Sequence, residues 1–423
     1  MIMDVKLNGN SISGEVRAIP SKSDVHRALI CAALADRESR VNFSAVSEDI
    51  NATISCLNSL GAQISVDSLG ASVKPIGANL NRNATLDCGE SGSTLRFMIP
   101  VAAALGSDSR FTGRGRLSER PLEPLVTVMK QNGCSFDGLG SFPLSVKGKL
   151  KSSVFEIEGN VSSQFITGLL FALPVIGGGE IKILPPVESK KYIDMTVRTM
   201  GEFGVNVSVE GTTYSVDAKS KYTVCNEVYS SDGDWSNAAF FLSAAAIKGE
   251  VKCNGVFKNS LQGDKEIVNL LSRFGAQVDW AEDSVTVKSA ELHAVDIDAS
   301  QIPDLVPILS VVAAFAKGET KIYNAGRLRI KESDRLSAVA TALNALGADV
   351  TELPDSLIIK GNPTVCFKGC VDSFNDHRMV MSCAVAALCS GGEITITNAQ
   401  AVNKSYPSFF EDFISLGGKC NVL

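Results

Sequence analysis

Apolar and polar positions in this chain follow one pattern six times. A helix-end signature, an apolar residue, Gly, a small residue, any residue and another apolar one, occurs at Gly61 (SLGAQI), Gly133 (QNGCSF), Gly204 (EFGVNV), Gly275 (RFGAQV), Gly347 (ALGADV) and Gly417 (SLGGKC), at intervals of 70 to 72 residues. A glycine just past a helix takes the left-handed cap conformation without a Cβ clash, and the apolar alternation after it predicts a strand. Upstream in each unit a polar loop opens an Ala-rich apolar helix: SKSDVHRALICAALA from Ser21, ESGSTLRFMIPVAAAL from Glu90, VSSQFITGLLFALP from Val161, DGDWSNAAFFLSAAAI from Asp232, SQIPDLVPILSVVAAFA from Ser300 and NDHRMVMSCAVAAL from Asn375. The strands after the last three helices, GEVKCNG, GETKIYN and GEITITN, are nearly identical, which favours duplication over coincidence.

Each unit therefore reads βαβαββ. One core rarely grows beyond about 250 to 300 residues, so six units predict two domains of three. The boundaries are expected at residues 20–231 for one domain and 1–19 plus 232–423 for the other, with the N-terminal strand pair completing the second. Composition suits such layers: 45% of the 423 residues are hydrophobic and only 6% aromatic, with 36 glycines, so the cores are built from Ala, Val, Leu and Ile.

Charge narrows the partners. With 40 Lys and Arg against 46 Asp and Glu, the net charge of −6 argues against general nucleic-acid affinity, which needs a basic face. It leaves room for a small anion, because a cleft focuses the field of the cations that line it. Eleven scattered cysteines with no CxxC pair and no clustering with the three histidines suggest neither a disulfide framework nor a metal site. The chain shows no export signal or membrane-length apolar run, and a cytosolic location is expected.

Polar loops ahead of six apolar helices present backbone N–H groups, which are prospective anion sites. A helix dipole contributes only about 0.3 to 1 kcal/mol per anion, so cationic side chains must carry most of the binding of a multiply charged ligand. They stand in these loops: Lys22, Arg27, Arg96 and Arg378 at helix starts, with Arg120 in LSERP, Lys331 and Arg335 in RIKESDRLSA, and Lys404 in VNKSYPSFF nearby. A single Lys or Arg is usually a solvated charge; eight at corresponding positions are not. Asp304, at the mouth of an apolar helix, reads either as a capping acid or as a reactive one. Glu332 reads either as a helical ion-pair partner of Arg335 or as a reactive acid. Ser162, Ser163 and Gln164 open the third helix as caps, anion donors or both, and His377 in NDHRM could donate to a phosphate. The glycine runs near residues 113 and 177 lack phosphate-loop spacing and read as turns.

Taken together, PSKSDVHRAL, GESGSTLRF, LSERP, VSSQF, ESKKYID, IPDL, RIKESDRL, NDHRM and NKSYP, in this order, resemble the EPSP synthase family along nearly the whole chain. The resemblance implies a two-domain inside-out α/β barrel with the active site in the cleft between the domains. It implies transfer of the carboxyvinyl group of phosphoenolpyruvate to the 5-hydroxyl of shikimate 3-phosphate, with no cofactor and no metal, by a cytosolic monomer. Carried over by position, Lys22, Ser23, Arg27, Ser162, Ser163, Gln164, Ser189, Tyr192, Asp304 and Lys331 would contact shikimate 3-phosphate. Lys22, Gly92, Arg96, Arg120, Gln164, Glu332, Arg335, His377, Arg378 and Lys404 would hold phosphoenolpyruvate. Asp304, Glu332 and Lys22 would be the catalytic groups, Asp304 taking the hydroxyl proton and Glu332 exchanging the methylene proton, or the reverse. Two departures stand out: Glu90 and Arg327 occupy positions where many members carry Asn.

Two other readings stay open at this point. A UDP-N-acetylglucosamine carboxyvinyltransferase would share the repeat but typically carries a reactive Cys in the loop here spelled GRGRLSER. A non-catalytic anion-binding repeat protein would need none of the acids.

Overall fold

The computed structural model describes residues 3–423, and among them lie six four-stranded sheets and twelve α-helices. The sheets share one construction. In the third repeat Val154–Glu158 runs parallel to Gly179–Leu184, which is antiparallel to Thr213–Val216, and Val207–Glu210 forms the edge. One helix, Ser163–Ile176, links the parallel pair, and a second, Lys190–Glu202, leads to the edge hairpin. This is the predicted βαβαββ unit.

The chain divides into two compact units, one of Lys22–Ser231 and the other of residues up to Ser21 together with Asp232–Leu423. Strand exchange accompanies the division. Ile12–Arg17 pairs in parallel with Gly249–Asn254 and supplies the first strand of the fourth repeat, while Val228–Ser230 does the same for the first repeat beside Ser39–Asn42. Val5–Asn8 lies between Ile394–Thr397 and Lys419–Val422 and completes the sixth.

Within each unit the linking helices are apolar on all sides and the sheets on one face only. Helix Ser163–Ile176 buries every residue from Phe165 to Pro174, as a helix enclosed by other elements must. Strand Val154–Glu158 alternates, with Phe155 and Ile157 inward, so helices form the inside and sheets the outside. The second helix of a repeat is amphipathic: Glu48–Leu60 buries Ile50, Ile54, Leu57 and Leu60 along one stripe. Each such apolar side chain contributes roughly 1.5 to 3 kcal/mol on burial.

Helix approach sets the distance between site residues. Gly168, midway along Ser163–Ile176, faces the backbone of Gly92–Leu105, and a Cβ there would lie 2.4 Å from the Arg96 carbonyl oxygen. Only glycine permits this contact, which brings the starts of the two helices, and with them Gln164 and Arg96, within bonding range. All six repeat glycines, from Gly61 to Gly417, have positive φ, as a left-handed helix end requires.

Candidate active site

The unit of Lys22–Ser231 carries its predicted cations in the first turns of two inner helices, with Arg120 just after the turn Gly115–Glu119. Lys22 is the first residue of Lys22–Leu34, and its Nζ lies 2.7 Å from Asp49 Oδ2 at the start of the neighbouring helix Glu48–Leu60. Arg27, one turn further in, is 2% exposed. Its Nε–H donates to Thr196 Oγ1 (2.9 Å) and its other nitrogens to the carbonyls of Ser23 and Tyr192. Burial pulls its pKa down to about 10, against the opposing pull of Asp24 and neighbouring hydroxyls, so it remains a cation at neutral pH. Ser189 adopts a left-handed conformation (φ 52°) at the start of Lys190–Glu202.

The second and third helix starts are stitched together. Arg96 donates to Gln164 Oε1 (2.7 Å), and Gln164 Nε2–H donates to Ser93 Oγ (2.8 Å). Arg96 also donates to the Pro121 carbonyl and lies over the Phe165 ring, so its direction is fixed by two other segments. Ser91 caps Gly92–Leu105 through the Thr94 N–H, and Ser162 caps Ser163–Ile176 through the Gln164 N–H. Ser163 is buried behind it. Arg120 lies against Gly92, where a Cβ would stand 2.6 Å from its terminal nitrogen. Glycine at the head of this helix is what admits the guanidinium. Glu90 packs on Gly115 in the adjacent turn.

In the other unit, five predicted residues form one charged network. Asp304 lies in the turn Pro303–Leu305, and no side chain caps either that turn or the helix Val306–Phe315 after it. Its carboxylate instead meets Arg335 NH1 (2.6 Å), Arg378 NH2 (3.2 Å) and Lys331 Nζ (3.5 Å), which rules out the capping role. Burial pushes its pKa up, but Arg378, Lys331 and Arg335 outweigh that and hold it well below the ordinary carboxylate range. Glu332 lies 2.7 Å from Arg335 NH2. The helix begins only at Arg335, so this is a bond across a helix start and not a pair on a helical face. Lys331 is pulled down to about 8 by burial and by Arg335 and Arg327, against Asp304 and Glu332. Arg327 itself donates to the Ser300 carbonyl (3.3 Å).

The sixth inner helix, His377–Ser390, brings Arg378 to this group and buries His377, 2% exposed. Lys404 Nζ donates to the Asn375 carbonyl (2.6 Å) just before that helix. Thus Lys331, Glu332, Arg335, Arg378 and Asp304 are in direct contact, while His377 and Lys404 flank them.

Three acids outside the predicted set stand near these cations, and two of them, Asp376 and Asp49, bond to one directly. Asp376, completely buried, accepts from Arg335 Nε (2.8 Å) and Ser333 Oγ (3.0 Å) and caps the sixth helix at the Arg378 N–H. Asp49 pairs with Lys22. Asp264, 1% exposed and hydrogen-bonded by Ser236, is pushed up to about 6 by burial and by Asp304, with Arg378 opposing. Acids at loop-to-helix positions were the available signal for Asp49 and Asp376. They also correct the view that all six helix starts are open anion sites, because the fourth and sixth carry their own carboxylates, Asp234 and Asp376.

Inner helices wrapped by sheets, with lysines and arginines interleaved with acids at the helix starts, define the enolpyruvyl transferase class of fold. An EPSP synthase structure from Acinetobacter baumannii superposes with a TM-score of 0.81 at 26% identity, covering 100% of both chains. The enolpyruvyl transferase NikO from Streptomyces tendae shares the fold, with a TM-score of 0.81 at 18% identity over 100% of this chain and 99% of that one. The family model for EPSP synthase (3-phosphoshikimate 1-carboxyvinyltransferase) matches residues 7–413, and the chain belongs to that family. Relatives named 3-phosphoshikimate 1-carboxyvinyltransferase include those of Clostridium acetobutylicum, 43% identical over 98% of this chain and 97% of its own, and Clostridium novyi, 42% identical over 98% of each.

Proposed function

We propose that this enzyme transfers the carboxyvinyl group of phosphoenolpyruvate to the 5-hydroxyl of shikimate 3-phosphate and releases phosphate, the step that leads toward chorismate and the aromatic amino acids. The observation that carries the reading is the pair of carboxylates, Asp304 and Glu332, held on one guanidinium among Lys331 and Arg378 in a chain of this family.

The chemistry needs an acid and a base. The methylene carbon of phosphoenolpyruvate gains a proton, the hydroxyl oxygen attacks the adjacent carbon, and the hydroxyl proton leaves, giving a tetrahedral intermediate that still carries phosphate. Loss of a proton from the new methyl group, with cleavage of the bond to the phosphate oxygen, gives product. Asp304 takes the hydroxyl proton, Glu332 exchanges the carbon-bound one, and Lys22 stabilises the departing phosphate. Two ligands that each carry a phosphate and a carboxylate repel one another, and charge-assisted bonds of roughly 1.5 to 3 kcal/mol from several cations offset this. Lys22, Arg96, Arg120, Arg335, His377, Arg378 and Lys404, with Gly92, serve phosphoenolpyruvate. Ser23, Arg27, Ser162, Ser163, Gln164, Ser189, Tyr192 and Lys331 serve shikimate 3-phosphate.

The UDP-N-acetylglucosamine reading is disfavoured by the absence of Cys from Gly113 to Arg120 and by the names of the relatives. On the same proposal the enzyme is a cytosolic monomer that takes small anions and no nucleic acid. No helix among the described residues is long and apolar enough to cross a membrane. The test is phosphate release: it is expected only when both substrates are supplied, and release with phosphoenolpyruvate alone, or with UDP-N-acetylglucosamine as acceptor, would refute the assignment.

A further inference from the structure

Three carboxylates share the Arg335 guanidinium, and they do so unequally. A guanidinium offers two edges on which a carboxylate can sit with two parallel bonds. The edge formed by Nε and NH2 is taken by Asp376, at 2.8 Å to Oδ2 and 3.4 Å to Oδ1. The other edge, NH1 and NH2, is divided: Asp304 takes NH1 at 2.6 Å and Glu332 takes NH2 at 2.7 Å. Arg335 is 1% exposed and Asp376 0%, whereas Asp304 and Glu332 retain 19% and 20% of their side-chain exposure. The enclosed edge is a fixed mount, and the divided edge is covered by the two acids that solvent reaches.

We infer that Asp304 and Glu332 are internal stand-ins for the carboxylate of the incoming substrate, which displaces both from Arg335 and thereby releases them as base and acid. This rests on the assignment of phosphoenolpyruvate to Arg335. An anion that binds the divided edge with two bonds needs the donors that these acids hold. The exchange also answers a difficulty in the chemistry. A carboxylate kept far more acidic than usual by three cations is a weak base, and the Asp304 carboxylate is held in that state while Arg335, Arg378 and Lys331 face it. Withdrawing Arg335, and placing a substrate anion alongside, raises its basicity only when there is substrate to act on. Asp376 stays in place and keeps the guanidinium aimed.

Substitution at the three acids therefore has opposite consequences for binding. Calorimetry with phosphoenolpyruvate alone, on the full chain, gives affinity without turnover. Asp304→Asn and Glu332→Gln, which remove an internal competitor, are each expected to bind phosphoenolpyruvate about tenfold or more tighter than the unaltered protein, although both lose turnover. Asp304→Glu, which keeps the charge, is expected to match the unaltered protein, and Asp376→Asn to bind several-fold more weakly. Thermal unfolding checks each variant, with Asp304→Ser and Glu332→Ser as replacements should an amide fail to fold. Equal or weaker binding by the folded Asp304 and Glu332 variants, or no binding by any form at millimolar ligand, would overturn the exchange. Phosphate release by the unaltered protein with both substrates decides the underlying assignment separately.

Discussion

Arg335 and Asp376 form an enclosed ion pair: the Nε–H donates to Oδ2 at 2.8 Å, and the two side chains are 1% and 0% exposed. Burial disfavours both charges, yet the pairing holds the Arg335 pKa above and the Asp376 pKa below their ordinary values. Leaving a buried charge with no partner costs about 3 to 5 kcal/mol, but Arg335 keeps Asp304 and Glu332. Asp376→Ala, which removes the fully enclosed partner and a helix cap, is therefore expected to lose less than that, roughly 1 to 3 kcal/mol in urea unfolding. Asp376→Asn, which keeps one acceptor oxygen for either Ser333 or the Arg378 N–H, is expected to lose less.

Asp304 and Glu332 differ from Asp376 in that solvent reaches them, and their proposed work is proton transfer. Asp304→Ala and Glu332→Ala are each expected to lower turnover by about 10²- to 10⁴-fold. Steady-state phosphate release measures this, and near-normal turnover in either variant would reassign that residue.

Gly92 is set by a neighbouring side chain and not by its own backbone angle. A Cβ at this position would stand 2.6 to 2.8 Å from the end of Arg120. The guanidinium can swing aside, so Gly92→Ala is expected to fold with a nearly unchanged melting temperature. On the proposed assignment of Arg120 to phosphoenolpyruvate, displacing this cation is costly, and kcat/KM for that substrate is expected to fall by about ten- to a hundredfold. An unchanged value would show that Arg120 does not depend on this glycine.

The parts of this molecule that the sequence revealed are those governed by local rules. Gly61 through Gly417 mark helix ends because one backbone conformation at one position demands glycine, and the six apolar helices are visible because burial on all sides leaves no polar stripe. The cations were legible for a similar reason, since each occupies a matching loop in its repeat. Their counter-ions were not. Asp376 and Asp49 have the local appearance of ordinary caps, and only tertiary packing brings Asp376 to Arg335 and Asp49 to Lys22. Asp264 sits in the segment GDKE, which reads as a solvated turn, although the fold buries it. Likewise, Asp304 could be separated from a capping acid only by seeing Arg335, Arg378 and Lys331 converge on it from other segments.

Lys331 gives a pH dependence of activity. Burial, with Arg335 and Arg327, lowers its pKa to about 8, so in the enzyme before substrate binding it loses its charge as pH rises through that value. If it holds an anionic group of shikimate 3-phosphate, kcat/KM for that substrate falls above about pH 8. Lys331→Arg keeps its charge far beyond this range, so its profile is expected to lose that decline. A decline that persists in the variant would assign the ionisation to another group.

Asp264 gives a pH dependence of stability with a definite sign. Its pKa is raised from 3.8 to about 6 by burial and by Asp304 and Asp234, while Arg378 and the Ser236 hydroxyl oppose the rise. Between those two values the folded protein holds a proton that the unfolded chain has already released, so stability falls as pH increases through this window. The contribution is fully present below about pH 4 and lost above about pH 6. Asp264→Asn cannot ionise, and its amide oxygen can still accept from Ser236. It is therefore expected to be more stable than the unaltered protein at pH 8, by about 2 to 3 kcal/mol at most, with the difference shrinking toward pH 4. Urea unfolding of both proteins at pH 8, 6 and 5 measures it. A variant equally stable at all three values would mean that Asp264 is not the group whose ionisation opposes folding, and a variant less stable at pH 8 would mean that the charged form is held by partners stronger than its burial.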